Sequence, residues 1–139
     1  MKQRTLAVLK PDCLRKKIQG KVIQYIIDGG FDTIAMKLTK LSRESAEKFY
    51  AVHKGKSFYE NLIKYITSGP VIVIALEKEN AVSDFRTLIG STDPAKAEEG
   101  TIRKLYADSV EQNIVHGSDS IENADVEIKH FFSNEELIS

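Results

Sequence analysis

The stretch NIVHGSDS, Asn113 to Ser120, sets a histidine, a glycine, two serines and an aspartate at the end of a short apolar run. A free imidazole has a pKa of roughly 6.5, so near neutrality most of it is an uncharged nucleophile. Attack on phosphorus leaves a P–N bond that stays reactive, which suits a phosphoryl carrier. His116 is therefore a candidate nucleophile. Gly117 has no side chain and would let a substrate approach the ring from that side. Ser118 offers a hydroxyl at the reacting centre. Glu127 sits just beside an apolar helical stripe, and a carboxylate turned inward there could bond the second imidazole nitrogen and fix its tautomer. The same residues have a plainer reading, in which Asn113, His116 and Asp119 finish a turn and cap a helix.

Phosphoryl transfer relies on positive groups around the equatorial oxygens more than on covalent chemistry. Lys10 ends the first apolar run, Arg86 lies on an expected helix and Arg103 follows a long loop. Each also reads as a solvated surface charge. Tyr50, Phe58 and Tyr59 are core-type aromatics, one of which could stack on a base. Gly55-Lys56-Ser57 resembles the end of a P-loop, but Tyr50 stands where that motif needs glycine, and the segment joins two helices instead of following a strand. No GxGxxG or HExxH occurs. With well-separated histidines and Cys13 as the one cysteine, a metal cage built by the protein is not expected.

The elements that must position these residues follow from period and punctuation. Thr5 to Leu9 reads as a buried strand ended by Lys10-Pro11-Asp12. Val22, Ile23, Ile26 and Ile27 mark one face of a helix from Gln19, stopped by Gly29-Gly30. Ile34, Met36 and Leu38 alternate with polar residues, the period of a half-exposed strand. Ser42 is a candidate N-cap for a helix over RESAEKFYAVH, and a second helix covers Phe58 to Ile66. VIVIAL, Val71 to Leu76, is apolar on both faces and reads as a central strand. Asn80 to Ile89 forms a helix ended by Gly90, and Gly90 to Gly100 is a surface loop. Asn113 to Val115 is a short fourth strand. Ile121, Ala124, Ile128 and Phe131 line a closing helix, which Asp119 or Ser120 could cap. This order gives an α+β, ferredoxin-like βαββαβ fold: a four-stranded antiparallel sheet with helices packed on one face.

A chain of 139 residues suits a single domain whose core needs no staple. Basic and acidic residues number 20 each, and this neutrality argues against a nucleic-acid module held by a global positive field. One cysteine excludes an internal disulfide and fits the reducing cytoplasm. The run Leu6 to Leu9 falls short of the ~7–15 apolar residues of a secretory signal. The longest apolar run, Val71 to Leu76, is far from the ~18–20 that span a membrane.

With these residues in view, NIVHGSDS resembles the active-site signature of nucleoside diphosphate kinases, N-x-x-H-G-S-D-[SA]. LAVLKPD, SGPVIV, LIGSTDPAKAEEGTIR and ENADVEI follow the family in order, so the likeness covers essentially the whole chain, and its start and end fit the short prokaryotic form. The resemblance implies that His116 is the phosphorylated nucleophile, oriented by Glu127 with Ser118. It implies that Lys10, Tyr50, Arg86, Thr92, Arg103 and Asn113 contact phosphates and sugar hydroxyls, and that Phe58 stacks on the base with Val110 on its other face. It further implies ping-pong transfer from a nucleoside triphosphate, mainly ATP, to a nucleoside diphosphate. Magnesium would arrive on the nucleotide phosphates, and the chain would assemble as a homo-oligomer, a tetramer or hexamer. Stacking tolerates any base, because every base has a π-face.

Three places depart from the usual pattern: Cys13-Leu14 after KPD, Glu99 before Gly100, and Lys104-Leu105 after the arginine. They bear on loop stiffness and assembly, not on a residue with an implied role. An RNA-recognition module shares the topology but carries an aromatic strand motif that no expected strand contains. A catalytically retired relative would be expected to lose the histidine or a phosphate-gripping cation, and all are present.

Overall fold

A computed structural model describes residues 2–138. Two strands with no polar face dictate its layering: β1 (Lys2–Leu9) is buried from Thr5 onward, and β3 (Val71–Glu79) is buried from Val71 to Leu76. Strands like these need cover on both sides. They pair with each other antiparallel in the middle of a four-stranded sheet of order β2-β3-β1-β4, where β2 is Asp32–Thr39 and β4 is Val115–Gly117. On one face, α2 (Gln19–Asp28), α5 (Ala81–Ile89) and α6 (Ile102–Tyr106) bury Val22, Ile26, Phe85, Ile89 and Ile102 against Ala7, Leu9, Ile72 and Ile74. On the other, α3 (Arg43–Phe49), α4 (Tyr59–Ile66) and α7 (Ile121–Phe131) bury Ala46, Ile63, Ile66 and Ile128 against Leu6, Val8, Val71 and Val73. The ferredoxin-like class expected from the sequence is present, but its helices cover both faces instead of one. The unalternating strands required this.

Local boundaries differ where tertiary contacts outweigh the pattern. Pro11 does not end a strand into a turn; it opens the short helix α1 (Pro11–Arg15), where its missing N–H costs nothing. Thr101 caps α6 by accepting from the Lys104 N–H, in a region that has no apolar period. The loop before it contains one 3-10 turn, Pro94–Lys96. Ser42 caps α3 as expected, but the helix stops at Phe49 and a 3-10 turn, Ala51–His53, carries the chain on. Ser120, not Asp119, caps α7, and Ile121 faces solvent. In β2 a register irregularity between Thr33 and Ala35 buries Ile34 and leaves Met36 and Leu38 45% and 67% exposed at the open edge of the sheet. The fourth strand begins two residues later than expected, because the chain turns at Ile114, whose φ is +75°.

Candidate active site

His116 sits in the middle of β4, opposite Val8 of β1. Strand alternation sends Val115 and Gly117 to the α2–α5 face and the imidazole to the face covered by α3, α4 and α7. There Nε2 lies 3.0 Å from Glu127 Oε1. The Ser118 hydroxyl donates to the same oxygen at 2.7 Å and accepts from the Leu6 N–H at 3.1 Å. β4 ends at Gly117, so this side chain takes the β1 donor that a longer ladder would have paired. Ser118 is fully buried with both bonds made, so it serves as a strut, not a hydroxyl offered to substrate. The Phe49 ring meets the imidazole edge-on, 5.0 Å between centroids.

Gly117 corrects an expectation. Its bare Cα does not open the imidazole to substrate, because it faces the opposite side of the sheet. A Cβ there would lie 2.8 Å from Phe85 Cδ2 and 3.1 Å from Ile89 Cδ1, so the glycine lets α5 close onto β4. Gly117→Ala is expected to destabilise the fold by about 1–3 kcal/mol, the usual range for overpacking a filled core. Thermal unfolding checks this, and an unchanged Tm would mean α5 gives way without cost.

The cations converge from separate elements. Lys10, at the end of β1 and 8% exposed, donates from Nζ to Asn113 Oδ1 at 2.8 Å. The Asn113 amide in turn donates to the Thr92 carbonyl at 3.2 Å. Arg103 on α6 donates to the carbonyls of Val115 at 2.7 Å, Gly90 at 2.9 Å and Asn113 at 3.4 Å. It shares with Arg86, Thr92 and Lys96 the wall of an open cleft of about 480 Å³. Burial, and then the Arg103 charge, lowers the Lys10 ammonium to about 8 against the pull of Asp12. Burial, and then Arg86, lowers Arg103 to about 10. Uncompensated positive groups crowded together mark a place for an anion.

A line of rings leads away from His116. Tyr50 packs on Phe49 at 4.9 Å and on His53 at 6.1 Å, and His53 lies 5.4 Å from Phe58. Burial, and then Glu127, pushes the Tyr50 phenol above its ordinary value. Phe58 precedes the first turn of α4 and is 44% exposed; Val110 is 55% exposed, and both stand outside the two core clusters. The sequence reading missed His53 and set Lys56 aside with the rejected P-loop; Lys56 Nζ lies 3.2 Å from His53 Nδ1 and 5.7 Å from the Phe58 ring centroid. Burial, and then Lys56, lowers the His53 imidazole. The three-residue spacing from Tyr50 was the available signal, since it places His53 one turn along the same face.

A family model for nucleoside diphosphate kinase matches residues 3–137. The chain belongs to the nucleoside diphosphate kinase family. It is 58% identical over 137 residues to the nucleoside diphosphate kinase of Chloroherpeton thalassium, covering 99% of this chain and 97% of that one. The likeness to that of Chlorobium limicola is 60% over 136 residues, with 98% and 97% covered. Among solved structures, Aquifex aeolicus nucleoside diphosphate kinase superposes with a TM-score of 0.97 at 35% identity, covering 99% of this chain and all of that one. A halophilic nucleoside diphosphate kinase from Halobacterium salinarum in complex with CDP gives 0.96 at 33% identity, with 100% and 93% covered.

As a nucleoside diphosphate kinase, the protein transfers the terminal phosphoryl group of a nucleoside triphosphate to a nucleoside diphosphate through a phosphohistidine. Nucleotides are its substrates. A reaction between chemically alike donor and acceptor needs only one site, with a nucleophile that gives the group back as readily as it takes it.

Proposed function

We propose that His116 is the residue phosphorylated, through Nδ1, and that Lys10, Tyr50, Arg86, Thr92, Arg103 and Asn113 hold the phosphates and sugar. The carrying observation is the bond from His116 Nε2 to Glu127 Oε1, braced by Ser118. An N–H committed to a carboxylate leaves the lone pair on the other ring nitrogen, where it can attack phosphorus. Glu127 also stabilises the ring as it gains positive character. Arg86 and Arg103 meet the charge that shifts onto the leaving diphosphate, and the return half-reaction reverses each step at the same atoms. ATP, as the main donor, would charge the protein; a second diphosphate would discharge it. Incubation with γ-labelled ATP and magnesium, then a cold diphosphate chase, tests the reading. Label should enter His116 and leave on the added nucleotide; label that stays on the protein would refute it.

Phe58 is proposed to stack on the base, opposite Val110, and its half-exposed ring supports this. Base–aromatic stacking is worth ~1–3 kcal/mol, so Phe58→Ala is expected to weaken purine and pyrimidine nucleotides alike, by roughly ten- to a hundredfold. Equilibrium binding of ADP and CDP decides it, since loss for one base alone would indicate recognition of the base edge.

Lys10 yields a pH-dependent expectation. Burial lowers its ammonium to about 8, and an adjacent phosphate would favour the charged form. Nucleotide binding at pH 8 should therefore take up a fraction of a proton, while at pH 6.5, with Lys10 already charged, it should take up none from this group. Affinity should fall as pH rises past 8. For folding the sign is opposite: from about 8 to 10.5 the unfolded chain holds the extra proton, so this residue makes stability rise with pH. Calorimetry in two buffers of different ionisation enthalpy measures the uptake. Zero uptake at pH 8 would place Lys10 away from the phosphates.

Magnesium is proposed to enter on the nucleotide. No group of three or more histidine, cysteine, aspartate or glutamate side chains among the described residues could hold a metal, so phosphate oxygens would supply the ligands. The ion, when bound, would draw charge from the phosphoryl oxygens. We further propose one kinase domain over residues 1–139, working in the cytoplasm as a homo-oligomer of tetrameric or hexameric form, with no membrane or nucleic-acid partner. The unpaired β2 edge with Met36 and Leu38 exposed supports self-association. No helix among the described residues is long and apolar enough to cross a membrane.

A further inference from the structure

The turn that delivers His116 is strained, and its restraint comes from outside the site. Ile114 has φ of +75°, a region that β-branched residues seldom enter. The Val115 N–H donates to the Asn113 carbonyl across it at 2.8 Å, closing a γ-turn. The Ile114 N–H donates to Asp12 Oδ2 at 3.1 Å, and its carbonyl accepts from the Lys10 N–H at 2.8 Å. Asp12 is buried. Its Oδ1 accepts from the Tyr65 hydroxyl, which in turn accepts from the Asp12 N–H at 3.0 Å. A buried carboxylate is costly unless its oxygens are hydrogen-bonded. Asp12 forms no salt bridge among the described residues, and spends one oxygen on Tyr65 and the other on the strained amide.

We infer that Asp12 is a positioning residue for phosphoryl transfer, acting with Tyr65 through the Ile114 turn. The clamp holds Ile114 in the left-handed region. That fixes Asn113 against Lys10 on one side of the turn and the start of β4, hence His116, on the other. Tyr65 stands on α4, the helix that Phe58 precedes, so the same contact ties the ring proposed to stack on the base to the turn that aims the imidazole. Asp12 touches no reacting atom. The inference rests on the reading of His116 as the phosphoryl acceptor.

The test is single-turnover phosphorylation by ATP with magnesium, alongside ADP affinity, in the full chain. Asp12→Asn replaces one acceptor oxygen with an NH2 donor, so it cannot accept from both the Tyr65 hydroxyl and the Ile114 N–H through separate oxygens as the carboxylate does. It is expected to slow phosphorylation about tenfold or more, the scale of a reacting atom misplaced by up to about 1 Å. ADP affinity should fall by less than the phosphorylation rate does, because Arg86 stands away from the turn while Lys10 and Asn113 flank it. Glycine holds φ of +75° without cost, so in an Ile114→Gly background the same substitution should cost less than about twofold. Equal losses in both backgrounds, or a wild-type phosphorylation rate in Asp12→Asn, would overturn the inference. Should Ile114→Gly not fold, Tyr65→Phe replaces it. It should slow phosphorylation by more than it weakens ADP and add nothing to Asp12→Asn, whereas additive losses would show two separate roles. Phosphorylation persisting in His116→Ala would instead remove the nucleophile reading itself.

Discussion

His116→Ala is expected to abolish phosphotransfer, lowering it by at least about 10⁴-fold, the scale of losing a covalent nucleophile, while the protein folds and binds ADP. The structure sharpens this in two ways. Ser118, the nearest other hydroxyl in the motif, is buried and committed to Leu6 and Glu127, so it cannot take over as acceptor. Because Nε2 faces Glu127, the wild-type phosphoenzyme should carry its phosphorus on Nδ1. It should be acid-labile and alkali-stable, as a phosphoramidate is and a phosphoserine is not. Quantitative recovery of label on serine, or NMR placing phosphorus on Nε2, would contradict the geometry.

Arg103→Lys is expected to lower kcat by about a hundredfold, near the effect of removing one preorganised donor from a transition-state site, and to reduce stability as well. The guanidinium reaches three carbonyls, those of Val115, Gly90 and Asn113, through separate nitrogens. One ammonium cannot span them, and each buried carbonyl left unpaired costs about 1–3 kcal/mol. Arg86 provides the contrast. It is exposed and its side chain forms no hydrogen bond with the described residues, so Arg86→Lys should slow the reaction without moving Tm. Charge shifts onto the leaving diphosphate only as its bond to the transferring group breaks, so both substitutions should act on kcat and kcat/KM together. Wild-type phosphorylation rates with only KM raised would mean that the arginines merely anchor the nucleotide. An unchanged Tm in Arg103→Lys would mean that the three carbonyls find other partners.

Much of the chemistry was legible in order along the chain. The NIVHGSDS stretch named the nucleophile candidate, the apolar stripe of α7 placed Glu127 beside it, and VIVIAL announced a central strand. These signals are local. Helical stripes, strand alternation and N-caps act within about four residues, so a single sequence displays them directly. Even the two-sided cover of the sheet could have been read from β1 and β3, where apolar residues do not alternate.

Other features arose only when distant segments met. Gly117 seemed to serve the substrate until Phe85 and Ile89 were found against its Cα. Arg103 reads in sequence as a solvated charge or, by resemblance, a phosphate ligand; its three carbonyl partners add a structural role. Met36 and Leu38 looked core-facing until the irregularity in β2 turned them outward. Asp12, read as a turn former after a proline, is joined to Ile114 across 102 residues and to Tyr65 across 53. Residue types and short spacings determined which groups could carry a phosphoryl transfer. The tertiary structure decided which of their bonds are already spent, because a hydrogen bond depends on distance in space, and chain closure brings its partners together without leaving a local periodic trace.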